Sequence, residues 1–228
     1  MKIFDFDWQN PDALKLCGKM WLPESSPKAV IALVHGFAEH IGRYGHVAKF
    51  FTDRNYILIA FDQQGHGFSE GKRGHTPMPK SLEAVREFLA LATEKFNGLP
   101  LFLYGHSMGG GIVGHFLVKN QPTYLKGAIL TSPWLALAFT PSAIKMWLAT
   151  LAVKVYPRFT EKSNLDVQEL STDPQVGKDY RADKLIHNDI TAQTFVSITK
   201  AGLYTIENAA AITLPIYQCT SIRLQVFV

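Results

Sequence analysis

The sequence predicts an α/β fold: a mostly parallel, doubly wound sheet with helices on both faces and a helical insertion over one end. Three observations predict it. Short apolar runs at 29–34, 56–61, 99–104 and 127–130 read as strands buried on both faces. Helix-period segments lie between them, and this alternation is the signature of a parallel sheet. From about residue 135 to 204 the rhythm changes to helix-like pieces and polar linkers, and a strand-like run then resumes at 214–219.

In chain order, residues 2–8 and 14–22 alternate apolar and polar, as two half-buried strands do, with Asn10-Pro11-Asp12 as the turn. Residues 23–27 form a loop, and 29–34 (AVIALV) is the first buried strand, ending at His35-Gly36. Val47, Phe50 and Phe51 give 44–54 a helical spacing, and 56–61 (YILIAF) is the second buried strand. Residues 81–96 form the clearest helix, with Leu82, Val85, Phe88, Leu89 and Ala92 on one face and Pro79 and Ser81 as start signals. A third strand at 99–104, a helix at 109–119 and a fourth strand at 127–130 complete the alternation. The expected organisation is a core over 1–134, a cap insertion over 135–208, and a resumed core strand with an atypical tail over 209–228.

Bulk properties narrow the function. At 47% hydrophobic residues the 228-residue chain has enough apolar material for a core, which argues against disorder. The formal charge of +4 is scattered, and its densest cluster, Lys72-Arg73, sits among glycines, so a nucleic-acid partner is not expected. Cys17 and Cys219 are far apart and outside any C-x-x-C, which fits a reducing compartment. Residues 1–10 lack the apolar stretch of a signal peptide, and no apolar run is long enough to span a bilayer. The expectation is a soluble, cytoplasmic protein; its oligomeric state is not legible.

The sharpest motif is Gly105-His106-Ser107-Met108-Gly109, which follows a buried strand and opens a helix. That is the context a nucleophile elbow requires. A serine turning sharply between strand and helix is strained, and glycines two residues before and after remove the side chains that would collide there. The helix start aims the Met108 N–H at the anion of a tetrahedral intermediate. An oxyanion hole needs a second donor, and Phe37, in His35-Gly36-Phe37 after the first buried strand, supplies the natural N–H. His35 itself reads as a structural, hydrogen-bonded histidine. Asp62, heading the glycine-rich loop 62–71, reads as the residue that fixes that loop. No histidine or cysteine spacing matches a zinc site, and Gly109-Gly110-Gly111 is not followed by the Lys-Ser/Thr of a phosphate loop. Neither a metal nor a cofactor is expected.

These residues resemble a known family. His35-Gly36-Phe37-Ala38-Glu39-His40 with Arg43-Tyr44 is similar to the H-G-x-x-E-H-x-x-R-Y stretch of the monoacylglycerol lipase and lysophospholipase-like branch of the α/β-hydrolases. Asp62 with Gly65-His66-Gly67 and Ser69, then Gly105 to Gly110, match its next two motifs in order. Leu170-Ser171, Asp173-Pro174, Tyr180, Asp183 and His187 resemble its cap. The likeness runs from about residue 14 to Pro215. It implies the α/β-hydrolase fold, Ser107 as nucleophile, Phe37 and Met108 N–H as oxyanion donors, and small-molecule esters of glycerol or similar alcohols as substrates. It does not exclude amides. A cap helix over 144–155, apolar on nearly every face, is either buried between cap and core or an acyl port that touches lipid surfaces.

In that family the strand matching 214–219 is followed by a loop with the triad Asp, then a helix and strand leading to the triad His. Residues 220–228 (TSIRLQVFV) hold no Asp, Glu or His. The triad acid and base are therefore expected to be absent from this chain, and the fold to be truncated at its C-terminus. Downstream of Ser107 only His115 and His187 remain. His115 lies along the nucleophile's own helix, about 12 Å away by helical rise; His187 lies in the cap. The competing expectation is a fragment or pseudoenzyme that binds acyl ligands without turnover. The stretch 222–226 alternates and is expected to pair at the open sheet edge.

Overall fold

A computed structural model of the chain describes residues 1–136, 143–163 and 171–220. The expected fold class is the one observed. Among the described residues seven strands form one sheet: β1 (Lys2–Gln9), β2 (Lys15–Leu22), β3 (Ala29–Val34), β4 (Tyr56–Phe61), β5 (Leu101–His106), β6 (Leu125–Thr131) and the last described strand, Ile216–Cys219, in spatial order β1-β2-β4-β3-β5-β6-last. β2 runs antiparallel to both β1 and β4; from β4 through β3, β5 and β6 to the last strand every pair is parallel.

The apolar runs are explained by two-sided burial. In β3, Val30, Ala32 and Val34 enter the core against α2 (Met78–Lys95) and α3 (Met108–Asn120), whereas Ile31 and Leu33 face the opposite layer with α1 (Gly45–Thr52). With both faces covered, no position is left for a polar residue. α2 begins three residues before the predicted start. Pro77 is extended (ψ 148°) and caps it, and Pro79 in the first turn has no N–H that needs a partner. α1 buries Ala48 rather than Phe50, which is exposed with the Arg54 guanidinium 4.0 Å from its ring centre.

Within the expected cap range, α4 (Ala143–Val155) and α5 (Pro174–Ala182) are accompanied by a ribbon that the sequence did not reveal. It pairs β7 (Thr160–Lys162) with β8 (Asp189–Thr191), and three residues are too few for a two-residue period to show. The base of the insertion is tied to the core loop before α2. Gly74 O accepts the Thr191 N–H (3.2 Å), and Thr194 Oγ1 accepts the Thr76 N–H (2.9 Å). The range then closes with α6 (Ala192–Glu207), whose Ile198 and Ala201 lie in the main core. With α6 against α3, a Cβ on Gly202 would collide with Leu135 O.

The resumed strand, numbered β9, pairs with β6 from Ala128↔Ile216 to Thr131↔Cys219, and its four residues are exposed. The alternating segment 222–226 and the cap residue Leu170 lie outside the described residues.

Candidate active site

Every predicted site residue lies at the end of the sheet where β3 and β5 terminate. Ser107 stands alone between β5 and α3, at φ 53° and ψ −118°. A non-glycine residue there carries strain of about 1–3 kcal/mol, tolerated only where the surroundings over-determine it. They do. The Ser107 N–H donates to Thr131 O (2.9 Å), and its carbonyl accepts the N–H groups of Gly111 (3.1 Å) and Trp134 (2.8 Å). A Cβ on Gly105 would strike the Gly109 backbone, one on Gly109 would strike Val34 O and His35 O, and one on Gly110 would strike Pro133. The glycines let the elbow sit flush on β3 and on the loop after β6.

The loop after β3 reaches the serine. A Cβ on Gly36 would stand 3.2 Å from Ser107 Cβ, so Phe37 follows a residue in contact with Ser107. Met108, fully buried, opens α3, where the first N–H groups of a helix point outward unsatisfied. Phe37 is 7% exposed, its ring edge-on to His66, Trp134 and His187 at 5.9–6.4 Å between centres.

His35 and Asp62 organise this loop. The Gln63 backbone N–H donates to His35 Nε2 (2.9 Å), so the ring proton sits on Nδ1 and is given to Gly36 O (2.8 Å). Burial above all lowers the His35 pKa, which keeps the ring neutral in this role. Asp62 is fully buried and accepts the N–H groups of Ile41 (2.8 Å) and Phe68 (2.9 Å).

A second polar network joins residues that in the sequence are no more than motif positions. Glu39 Oε1 accepts from the Gly36 N–H (2.7 Å) and the Tyr44 hydroxyl (2.6 Å). His40 Nε2 meets Asp183 Oδ2 at 2.7 Å, and the Arg43 guanidinium lies 5.1 Å over the buried Tyr180 ring, whose phenol burial pushes up to about 12. Joining residues 36–44 to 180–183 needs the cap folded over the core, which local patterns do not encode.

His187, the remaining downstream histidine besides His115, packs against His66 at 4.7 Å between ring centres. Burial, with Arg73 nearby, lowers His187 to about 4, and burial lowers His66 well below its usual value. Their folded pKa values lie below the unfolded value, so the unfolded chain binds more protons between pH 6.5 and 4. Stability is therefore expected to fall as pH drops through that window and to level off below it. Thermal melts of wild type and His187→Leu check this: the variant loses part of the pH 7-to-4.5 drop in Tm, and an unchanged drop contradicts it. His115 is bonded to Thr205 Oγ1 (3.2 Å) on α6. Among the described residues, no hydrogen bond joins the Ser107 hydroxyl to a histidine, and no group of three His, Cys, Asp or Glu side chains is placed to hold a metal.

The sequence pattern of the family described as "Serine aminopeptidase, S33" matches residues 25–221. Monoacylglycerol lipase of Mycolicibacterium smegmatis is 33% identical over 199 residues, 86% of this chain and 70% of that protein. Human monoglyceride lipase is 33% identical over 180 residues, 78% of this chain; the match spans 58% of the human protein's length. The crystal structure of Paleococcus ferrophilus monoacylglycerol lipase superposes with a TM-score of 0.78 at 26% identity, covering 96% of this chain and 77% of that one. The chain belongs to the serine aminopeptidase S33 family, in the monoacylglycerol lipase-like branch of the α/β-hydrolases.

Proposed function

We propose that this chain handles small-molecule carboxylic esters of the monoacylglycerol or lysophospholipid type through Ser107, with the Phe37 and Met108 N–H groups as oxyanion donors. The observation that carries the reading is the strained Ser107 turn, held by backbone bonds with Gly36 against it. Strain is kept where it presents a nucleophile, and a helix start favours developing negative charge beside it. In the parent reaction Ser107 Oγ bonds to the ester carbonyl carbon and gives up its proton. The alcohol leaves with a proton, and water then releases the acid from the acyl-enzyme. The test is hydrolysis of p-nitrophenyl butyrate by wild type and Ser107→Ala, each with a relative's Asp- and His-bearing segment fused after β9: the turnover gained by the fusion is lost in the variant, and equal turnover in both removes the reading.

A second reading, acyl binding without turnover, is favoured by the surroundings of the two downstream histidines. His115 is committed to Thr205, and a His187 that binds a proton only near pH 4 is a weak acceptor for the serine proton.

The cap supplies the acyl side of the reading. α4 exposes Ile144, Trp147 (64%), Leu148, Leu151 and Val155 (78%), a helical stripe continued by Tyr156 and Phe159. Residues 143–160 include Lys145, Lys154 and Arg158 and no acid. An exposed apolar stripe on a segment whose charged residues are all basic fits transient contact with an anionic lipid surface. Among the described residues no helix is long and apolar enough to cross a membrane. Trp147→Ser is expected to weaken co-sedimentation with anionic liposomes roughly tenfold, the worth of one buried aromatic side chain. Equal, negligible binding by both proteins removes the membrane contact.

A further inference from the structure

The loop that carries Phe37 is itself in a costly conformation. Ala38 lies at φ 65°, in the left-handed region that a residue with a Cβ seldom occupies. Such a residue sits next to a functional group only where other contacts fix it. One side of the loop is fixed from within the core, because Glu39 Oε1 holds the Gly36 N–H and the Tyr44 hydroxyl. The other side is fixed by the cap. The His187 N–H donates to Ala38 O (3.3 Å), and the His187 ring stands edge-on to Phe37. His40 Nδ1 accepts the Gly42 N–H, so its proton is on Nε2 and is donated to Asp183 Oδ2 at 2.7 Å. Arg43 approaches the same oxygen at 4.0 Å.

Asp183 is in turn held in place. It ends α5, its own N–H bonding back to Asp179 O, and its other oxygen accepts the Leu185 N–H at 3.0 Å. Between Asp183 and His187 a five-residue cap segment therefore grips the loop at both His40 and Ala38. The peptide that presents the Phe37 N–H lies between Gly36, held by the core, and Ala38, held by the cap.

We propose that Asp183 is a positioning residue of the oxyanion loop: through His40 it clamps the cap onto residues 37–40 and so holds the Phe37 N–H toward Ser107. The clamp makes the donor geometry depend on a seated cap, so a cap displaced by ligand or lipid loosens the oxyanion hole along with the acyl site. This rests on the reading of Ser107 given above. No part of the clamp touches the reacting atoms; its effect is on where the donor points.

The experiment uses the full 228-residue chain as wild type, Asp183→Ala, Asp183→Asn and the adjacent control Lys184→Ala. An alkyl fluorophosphonate probe is followed by intact mass, and the rate is separated into a probe-binding constant and a limiting labelling rate. Deuterium exchange is read on the peptide covering 36–44. Asp183→Ala is expected to lower the limiting rate about tenfold, a fraction of the loss on deleting an oxyanion donor outright. The probe-binding constant stays within twofold, and exchange quickens in 36–44 without a general rise elsewhere. Asp183→Asn, which can still accept the His40 proton, recovers part of the rate, and Lys184→Ala matches wild type. An unchanged limiting rate, or a loss carried wholly by probe binding, overturns the clamp. If wild-type Ser107 is inert to the probe, the reading of Ser107 fails. Exchange then judges the clamp alone: quickening confined to 36–44 in Asp183→Ala supports it, and unchanged exchange overturns it.

Discussion

Purified as these 228 residues, the protein is expected to hydrolyse p-nitrophenyl butyrate about 10³–10⁴-fold faster than buffer and on the order of 10⁶-fold slower than a serine hydrolase with its base in place. Acyl transfer needs the Ser107 proton removed as the carbon–oxygen bond forms. His115 is bonded to α6 and His187 is poor at holding a proton at neutral pH. The sequence from 220 to 228 offers no Asp, Glu or His. What remains is the elbow, the helix start and the loop after β3, the proposed oxyanion hole without a base. Two outcomes decide. Slow turnover that rises by several orders of magnitude when a relative's segment with Asp and His is fused after β9, with the rise lost in Ser107→Ala, agrees with the account. Fast Ser107-dependent turnover by the 228 residues alone contradicts it and directs attention to His187→Gln as the next variant.

The second large effect is on stability. Asp62→Ala is expected to cost about 2–4 kcal/mol, because it strands the buried N–H of Ile41, at about 1–3 kcal/mol, and removes the partner of the part-buried Phe68 N–H, at about 1 kcal/mol. It also empties the space that Gly67, at φ 48°, leaves for the carboxylate. The comparison is Asp53→Ala, whose exposed pair with Lys49 (2.9 Å) is worth at most a few tenths of a kcal/mol. Urea unfolding reads both: the Asp62 variant shifts the midpoint strongly with little change of slope, and the Asp53 variant barely moves it. A shift for Asp62→Ala as small as that for Asp53→Ala contradicts the assignment of Asp62 as the pin of loop 62–71.

What was legible in the sequence follows from the range of the interactions involved. β3 and β4 are buried on both faces, so six-residue apolar runs announced them, and the strand-to-helix context of Ser107 followed from its neighbours in sequence. α2 was legible through Val85, Phe88, Leu89 and Ala92, but its start was not, since Pro77 caps by backbone conformation rather than by a capping side chain. The ribbon β7–β8 was too short to carry a period, and its partners lie almost thirty residues apart. The return of α6 into the core depends on Gly202 and Gly114 meeting Leu135 and Thr205, and glycines in a helix do not advertise what they pack against. The link from Asp183 to His40 spans 143 residues, and in the sequence each partner is only a motif position with nothing to tie it to the other. The sequence left two readings for 144–155, buried or facing out. The exposed stripe from Ile144 to Val155 favours the second, and only the packing of α4 relative to α6 decides it.

The most direct measurement of the central claim, that Ser107 is a presented nucleophile, is intact-mass and peptide mapping of the protein after prolonged exposure to an alkyl fluorophosphonate. The account predicts slow formation of a single adduct on Ser107, abolished in Ser107→Ala and by prior unfolding. No adduct on the folded protein, or one that persists in Ser107→Ala on another serine such as Ser69 or Ser132, would contradict it.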